Sequence, residues 1–240
     1  MSVQSICNLP GSLARHTARR ESNRRAHDKL IRPPTQAFSF TLQEEGIELI
    51  RYAIELAELR QGFGGLLIEV ATDPNIAGQQ PGMFLAAVAQ AAFTYTPSLT
   101  SHTFEDLRST DSMGLIRSAE IKSALYDYYG FHDTQRQYMQ LTMMIEFRYF
   151  ELAANVLSSK QYQWVQDNWF VVKPDDLEEV RQSQPNPEGI NATIERFTNN
   201  PELIAWLPRT RGLQREQILM HGSRISRAEK LLESLRSYSK

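Results

Sequence analysis

The segment from Thr103 to Tyr129 constrains the fold most, because it carries the start and stop signals of two successive helices. Thr103 and Asp106 have the spacing of a capping box, which marks the first turn of a helix. Gly114 interrupts the pattern, and Ser118 precedes a second helix. The apolar positions of the second helix are Ile121, Leu125, Tyr128 and Tyr129. We expect the buried anchors of this helical pair to be Leu115, Ile116 and Leu125.

Regular helical spacing begins at Thr41, where Thr41-Leu42-Gln43-Glu44 again has the form of a capping box. Apolar residues recur at helical spacing to about Gln61, and glycines at positions 62, 64 and 65 then interrupt the pattern before it resumes. These glycines lack the Lys-Ser/Thr pair of a phosphate-binding loop, and no predicted strand precedes them. We therefore interpret them as a bend or a close contact between helices.

Two further helices complete the predicted core. One carries small residues around Phe84 and Val88, so neighbouring helices can approach it on several sides and it should lie centrally. The longest predicted helix runs from about Asp133 to Ser159. Its predicted apolar face is Tyr138, Leu141, Ile145, Leu152 and Val156, widened by Met144, Phe147 and Ala154.

Three charged residues fall among the apolar residues of this long helix, namely Glu146, Arg148 and Glu151. One interpretation is a small-molecule or enzyme site inside the bundle, near Glu146–Glu151. The other is a solvated face, with Arg148 paired to a carboxylate at the rim. Aromatic residues nearby fit either a ligand cavity or an ordinary core. The sequence favours the solvated face.

The C-terminal third is predicted to be less regular. Residues 170–212 are interpreted as a loosely structured connection, because proline and glycine breaks recur there. Asn200 followed by Pro201 has the order of a helix start, and this helix is expected to end at Leu207, before Pro208. Residues 213–238 predict a C-terminal amphipathic helix. We expect it to dock onto its own bundle, with dimerisation as the alternative.

The N-terminus differs from the rest of the chain. Residues 1–36 contain seven Lys/Arg and two Asp/Glu, for a net charge of +5, so the remaining chain carries −7. Few large apolar groups are present to offset the entropy of ordering the chain. We therefore predict a disordered basic extension at residues 1–38 and a helical domain at residues 39–240. The alternatives are contact with nucleic acid or anionic lipid and an Arg-rich targeting segment.

The sequence contains no predicted membrane span. The longest uncharged stretch lies between Asp73 and Glu105, and its apolar part, Met83 to Phe93, falls short of the about 20 residues that a spanning helix needs. The sequence as written predicts a cytoplasmic protein. An upstream transmembrane helix would instead place the domain in the periplasm or tether it to the membrane.

Motifs for catalysis or metal binding are missing from the sequence. Neither Glu-x-x-His, His-Glu-x-x-His nor Gly-x-Ser-x-Gly occurs. Cys7 is the only cysteine, so the chain has no internal disulfide and no second thiol for a metal. We expect surface or capping roles for the scattered histidines, His16, His27, His102, His132 and His221. We therefore predict that the protein is not an enzyme and has no catalytic residues, cofactor or metal site.

Three short elements of the helical pair resemble a group of bacterial proteins of unknown function. These elements are Thr103-Phe104-Glu105-Asp106-Leu107, Leu115-Ile116-Arg117 and Ala124-Leu125-Tyr126-Asp127-Tyr128-Tyr129. The resemblance covers roughly Leu42 to Tyr162 and implies a helical domain. Many members of the group begin with a transmembrane helix, which this sequence does not contain.

Together these patterns predict an all-α protein, an irregular bundle of six to nine helices. The leading functional hypothesis is a non-enzymatic interaction or sensory domain with a protein partner. The alternatives are the small-molecule or enzyme site near Glu146–Glu151, and nucleic-acid or anionic-lipid contact through the basic extension.

Overall fold

The computed structural model describes residues 46–97, 102–184 and 189–238. Within these ranges the protein is all-α, as predicted, with nine α-helices and no strand. The helices are α1 (Ile47–Thr72), α2 (Asn75–Gln79), α3 (Pro81–Gln90), α4 (His102–Ser109), α5 (Ala119–Ala153), α6 (Ser159–Trp169), α7 (Leu177–Gln182), α8 (Ile190–Thr198) and α9 (Pro201–Tyr238). Short 3-10 turns lie at Ser112–Leu115 and Pro174–Asp176. The predicted extension at residues 1–38 and the predicted cap at Thr41 lie outside the described residues.

Three long helices, α1, α5 and α9, form the frame of the bundle. Helix α9 packs along both α1 and α5. Near the start of α1, Arg51 lies 3.9 Å from Glu229 of α9, and near the end of α5, Arg148 lies 3.0 Å from Glu202. Helix α9 therefore runs antiparallel to α1 and α5, which run parallel to each other.

The glycines of α1 mark a close helix contact, as one of the two interpretations predicted. A Cβ atom on Gly64 would lie 3.4 Å from the Cβ of Arg211 on α9. The predicted interruption of the helix is wrong, because α1 continues without a break from Ile47 to Thr72. Phe63 and Leu67 are buried on either side of Gly64, and this burial offsets the low helix propensity of glycine.

Helix α5 begins where the sequence predicted. The hydroxyl oxygen of Ser118 accepts a hydrogen bond from the backbone N–H of Ile121 at 3.3 Å, which confirms Ser118 as the N-cap. Helix α5 then passes through Gly130 as one element instead of the two predicted. Helix α4 has already begun at His102, so the predicted cap at Thr103 is wrong.

Of the three predicted anchors of the helical pair, two are buried and one is exposed. Ile116 and Leu125 are buried, as predicted, in an apolar core at one end of the bundle. In that core the rings of Phe104 and Tyr129 stack with their centroids 4.3 Å apart. Leu115 is 71% exposed, so its prediction as an anchor is wrong. It is the last residue of a 3-10 turn, in which neighbouring side chains point to different sides.

The last helix is much longer than the sequence indicated. Asn200 caps it as predicted, with its Oδ1 accepting from the backbone N–H of Leu203 at 3.0 Å. The helix then continues from Pro201 to Tyr238, so the predicted end before Pro208 and start at residue 213 are both wrong. Leu203 and Leu207 are fully buried while Pro208 faces solvent. The burial of Leu203, Leu207 and Thr210 offsets the cost of about 3 kcal/mol that a proline inside a helix carries. The described residues of the range 170–212 thus include the helices α7 and α8 and the first part of α9.

Candidate functional site

A non-helical segment after α3, residues 93–97, contacts all three long helices. The ring of Tyr95 packs edge-on against Tyr52 of α1 at 5.9 Å. The hydroxyl of Thr94 donates a 2.7 Å hydrogen bond to Glu146 of α5. The backbone carbonyl of Tyr95 lies 3.3 Å from Nε2 of His221 on α9. The backbone polar groups of this segment therefore need partners inside the bundle, because they lack a helix of their own.

Helix α9 supplies these partners from a buried polar row. The row recurs at intervals of four and three residues, which places it on one face of α9, and it consists of Thr210, Gln214, Gln217, His221 and Arg224. Every member is at most 3% exposed. Gln214 donates through Nε2 to the backbone carbonyls of Ala91, at 3.0 Å, and Phe93, at 2.9 Å. Two members of the polar row, Gln214 and His221, therefore hold the non-helical segment in place, which is a structural role.

Arg60 of α1 is the most deeply buried charged residue of this region, with 2% of its surface exposed. Its guanidinium carbon lies 5.5 Å from the centre of the Phe93 ring, which is a cation–π contact. Burial lowers the pKa of Arg60 to about 10, and the charge of Glu146 opposes that change. Burial raises the pKa of Glu146, while the hydrogen bonds from Thr94 oppose the rise. Arg60 therefore remains protonated at neutral pH.

His221 is fully buried, so its predicted surface or capping role is wrong. Burial and, to a smaller extent, the positive charge of Arg224 lower its pKa to about 4, although the contact with the Tyr95 carbonyl opposes both. Its pKa in the folded protein is therefore lower than in the unfolded chain, which binds the proton more readily. Protonation of His221 consequently favours unfolding.

A cleft of about 680 Å³ opens between α3, the end of α5 and α6. None of the described residues that line it is charged. Its walls include Phe93, Phe150, Tyr162, Gln166 and Phe170. Gln90 also lines the cleft and links α3 to the end of α6, since its amide donates to the Trp169 carbonyl and accepts from the backbone N–H of Val172 at 3.0 Å. The cleft therefore suits a neutral, largely apolar occupant.

An apolar stripe on α5 extends the cleft along the outside of the bundle. We use this name for Met143, Phe147 and Phe150 of α5 and its C-cap Ala154, which has helical backbone angles; their spacing of four, three and four residues places them on one line. Phe150 and Ala154 line the cleft. Phe147 is 61% exposed and Met143 is 44% exposed. The stripe therefore leads from the cleft onto open surface.

The outer face of α5 is broader than the stripe and is apolar where a helix surface is usually polar. Its four large residues are Leu141, Met143, Met144 and Phe147, and all are exposed. The predicted apolar face is therefore wrong at Leu141, Met144 and Phe147. Tyr149 instead lies in the core, fully buried, with its hydroxyl donating to the Val88 carbonyl at 2.9 Å.

The three charged residues predicted on this helix do not form one site. Glu146 turns inward to Thr94. Arg148 and Glu151 are exposed and lie 3.2 Å apart, and Arg148 also contacts Glu202. The solvated interpretation therefore holds for Arg148 and Glu151 and fails for Glu146. None of the three lines the cleft.

The outer face of α5 was missed as a candidate surface by sequence reasoning. Apolar residues occur nearly all round α5 between residues 138 and 150, so their periodicity does not identify the side that packs inward. This distribution was itself the available signal. A helix that packs against the bundle on one side, and is apolar on all sides, leaves apolar residues exposed on the other side.

Comparison with known proteins identifies no relative of this chain: no protein-family model, curated protein or solved structure matches it. In the parts of the chain that the structure describes, no helix is long and apolar enough to cross a bilayer. Among the same residues, no cluster of three or more His, Cys, Asp or Glu side chains is arranged to hold a metal ion.

Proposed function

We propose that this protein is a non-enzymatic helical interaction domain that binds an amphipathic helix of a protein partner along the apolar stripe and the cleft. The observation that carries the proposal is the continuity of the two surfaces. Exposed Met143 and Phe147 are in register with Phe150 and Ala154, which line the cleft. The four-three-four spacing is the spacing at which one helix packs into the grooves of another.

The composition of the surface supports this proposal. Methionine and phenylalanine are frequent at protein-binding surfaces, since a flexible thioether and a large ring fit varied partners. Monomeric proteins rarely expose several large apolar side chains together. The uncharged lining of the cleft favours an apolar helix face over an acidic or basic peptide.

Photocrosslinking tests the proposal. Benzoylphenylalanine replaces Phe147 in the full chain, and in a control it replaces Glu55, which is exposed on α1. We expect position 147 to give a discrete crosslinked polypeptide in cells of the source organism, with the attachment mapped by mass spectrometry to an amphipathic helix. Position 55 should not give this product. No product from position 147, or the same products from both positions, would contradict the proposal.

A second candidate function is binding of a small neutral ligand in the cleft. The volume of about 680 Å³ favours it, because it falls within the range of about 300–1,000 Å³ typical of ligand pockets. Ala154 lines the cleft and Asn155, next to it, does not, and both are exposed. We expect Ala154→Trp to weaken binding of the neutral dye Nile red at least tenfold, whereas Asn155→Trp leaves it unchanged. Equal binding by both variants would contradict a ligand site in the cleft.

The family resemblance seen in the sequence also enters this proposal. It implies a bacterial protein whose domain is held at a membrane by another segment. Detection of the native protein in a membrane fraction from which high salt does not release it would support that tether.

A further inference from the structure

We propose that the protein that occupies the outer face of α5 is a second copy of this chain, and that two copies pack through this face about a two-fold axis near Phe147. This inference rests on the proposed interaction function and names its partner. The area of the face, its charge and its symmetry all favour this partner.

The exposed apolar area is sufficient for a dimer. Leu141 is 59% exposed and Met144 is 68% exposed, and on the rim of the cleft Tyr162 and Phe170 are 54% and 65% exposed. At about 200 Å² for a large apolar residue, these four residues together with Met143 and Phe147 expose about 700 Å². A standard interface buries about 800 Å² on each partner, counting polar atoms. Exposed polar residues that border the face, such as Gln140 and Glu151, add to this area.

The charge of the face argues against the other kinds of occupant. Between residues 138 and 147 the only Asp, Glu, Lys, Arg or His is Glu146, and this residue points inward to Thr94. Just beyond this stretch, Arg148 and Glu151 are exposed on the same side of α5, since they follow Met144 and Phe147 by four residues, and they pair with each other. A helix that lies on an anionic membrane carries several Lys and Arg beside its apolar face, whereas the one Arg beside this face is paired with Glu151 and Glu202. A second copy therefore meets bordering charges of both signs, which are already paired.

The symmetry of the face also fits a second copy. In a two-fold dimer the same surface serves both partners, so it has to offer both protruding side chains and the spaces that receive them. The apolar stripe has this property, because its spacing of four and three residues is the one that produces knobs-into-holes packing between two helices. The stripe on α5 of one copy is therefore suited to pack against the same stripe on α5 of a second copy.

Sedimentation equilibrium of the full chain over a range of concentrations tests the proposal. We expect a species of twice the chain mass of 27.5 kDa. Phe147→Glu should raise the dimer dissociation constant at least tenfold with unchanged circular dichroism. Leu219→Glu is the matched control, because Leu219 is 63% exposed on α9, outside the face. It should leave the dissociation constant unchanged. Benzoylphenylalanine at position 147 should also crosslink the purified chain to itself.

A wild-type chain that remains monomeric at high micromolar concentration would overturn the proposal. A dimer that Phe147→Glu and Leu219→Glu weaken equally would also overturn it. A monomeric chain that still crosslinks from position 147 to another polypeptide in cells would exclude the second copy and leave the proposed interaction function standing. A monomeric chain without any crosslink would remove both.

Discussion

Replacing Gln90 with methionine tests whether the link between α3 and the end of α6 holds this part of the fold together. Methionine has nearly the same length and volume, so the change removes two hydrogen bonds without opening a large cavity. The lost bonds join the Gln90 amide to the carbonyl of Trp169 and to the backbone N–H of Val172. Gln90 is 3% exposed, Trp169 is 8% exposed and Val172 is fully buried, so water does not readily replace the amide.

The expected loss of stability follows from the two backbone groups left without a partner. A buried polar group without a hydrogen bond costs about 1–3 kcal/mol, so two such groups cost about 2–6 kcal/mol. The control is Gln182→Met, since the Gln182 amide donates to Glu178 at 2.8 Å on the exposed surface of α7. That change should alter the free energy of unfolding by no more than about 0.5 kcal/mol.

Urea unfolding followed by far-ultraviolet circular dichroism measures both variants. The slope of the free energy against urea should remain equal to that of the wild type, so that the midpoints report stability directly. If Gln90→Met and Gln182→Met change the midpoint equally, the buried amide of Gln90 does not fix the end of α6. The link from Gln90 to α6 would then not stabilise this wall of the cleft.

Further predictions concern packing and pH. Gly82→Ala should destabilise the fold by about 1–3 kcal/mol, because its Cβ would lie 2.6 Å from the Val180 carbonyl. Gly78→Ala should not, because the added Cβ has no atom within 4 Å apart from its chain neighbours and its own helix backbone, and thermal melting compares the two variants. Leu125→Ala should cost about 2–5 kcal/mol because Leu125 is fully buried, and an unchanged melting temperature would contradict that burial. Between pH 6.5 and 4 the wild type should lose about 3 kcal/mol of stability that His221→Gln retains, because the unfolded chain binds the His221 proton more readily; parallel pH curves would contradict a buried neutral imidazole.

The parts of the fold that depend on local sequence were predictable. Ser118 and Asn200 cap their helices because a short polar side chain reaches the first free N–H groups from its own position in the chain. Leu125 is buried because it belongs to a periodic apolar set of α5 that includes Ile121 and Tyr128. Each of these predictions needed no knowledge of distant residues.

The continuity of the long helices was not predictable from local signals. Gly130 lies inside α5 and Pro208 lies inside α9, although both residue types favour breaks. At Pro208 the helix continues because Leu203 and Leu207 are buried by other parts of the chain. Tertiary burial thus outweighs a local cost of a few kcal/mol, and the sequence shows the cost but not the burial.

The polar row of α9 shows a different kind of limit. Gln214 and His221 stand at helical spacing, as they would on a solvated face, and the sequence predicted a surface or capping role for His221. Their burial follows from a need elsewhere in the chain, because the backbone carbonyls of Phe93 and Tyr95 lie inside the bundle without helical partners. No periodicity in α9 reveals that need, which arises from a segment more than 120 residues earlier.

Phe93 connects the cleft to this buried polar region. Its ring lines the cleft and packs against Phe150 with the centroids 6.0 Å apart. The guanidinium of Arg60 lies over the same ring, and the carbonyl of Phe93 accepts a hydrogen bond from Gln214. An occupant of the cleft that displaces Phe93 therefore has to change contacts with α1, α5 and α9 together, because the residue is held by all three. The proposed partner, bound in the cleft, would therefore meet a residue that contacts all three framing helices.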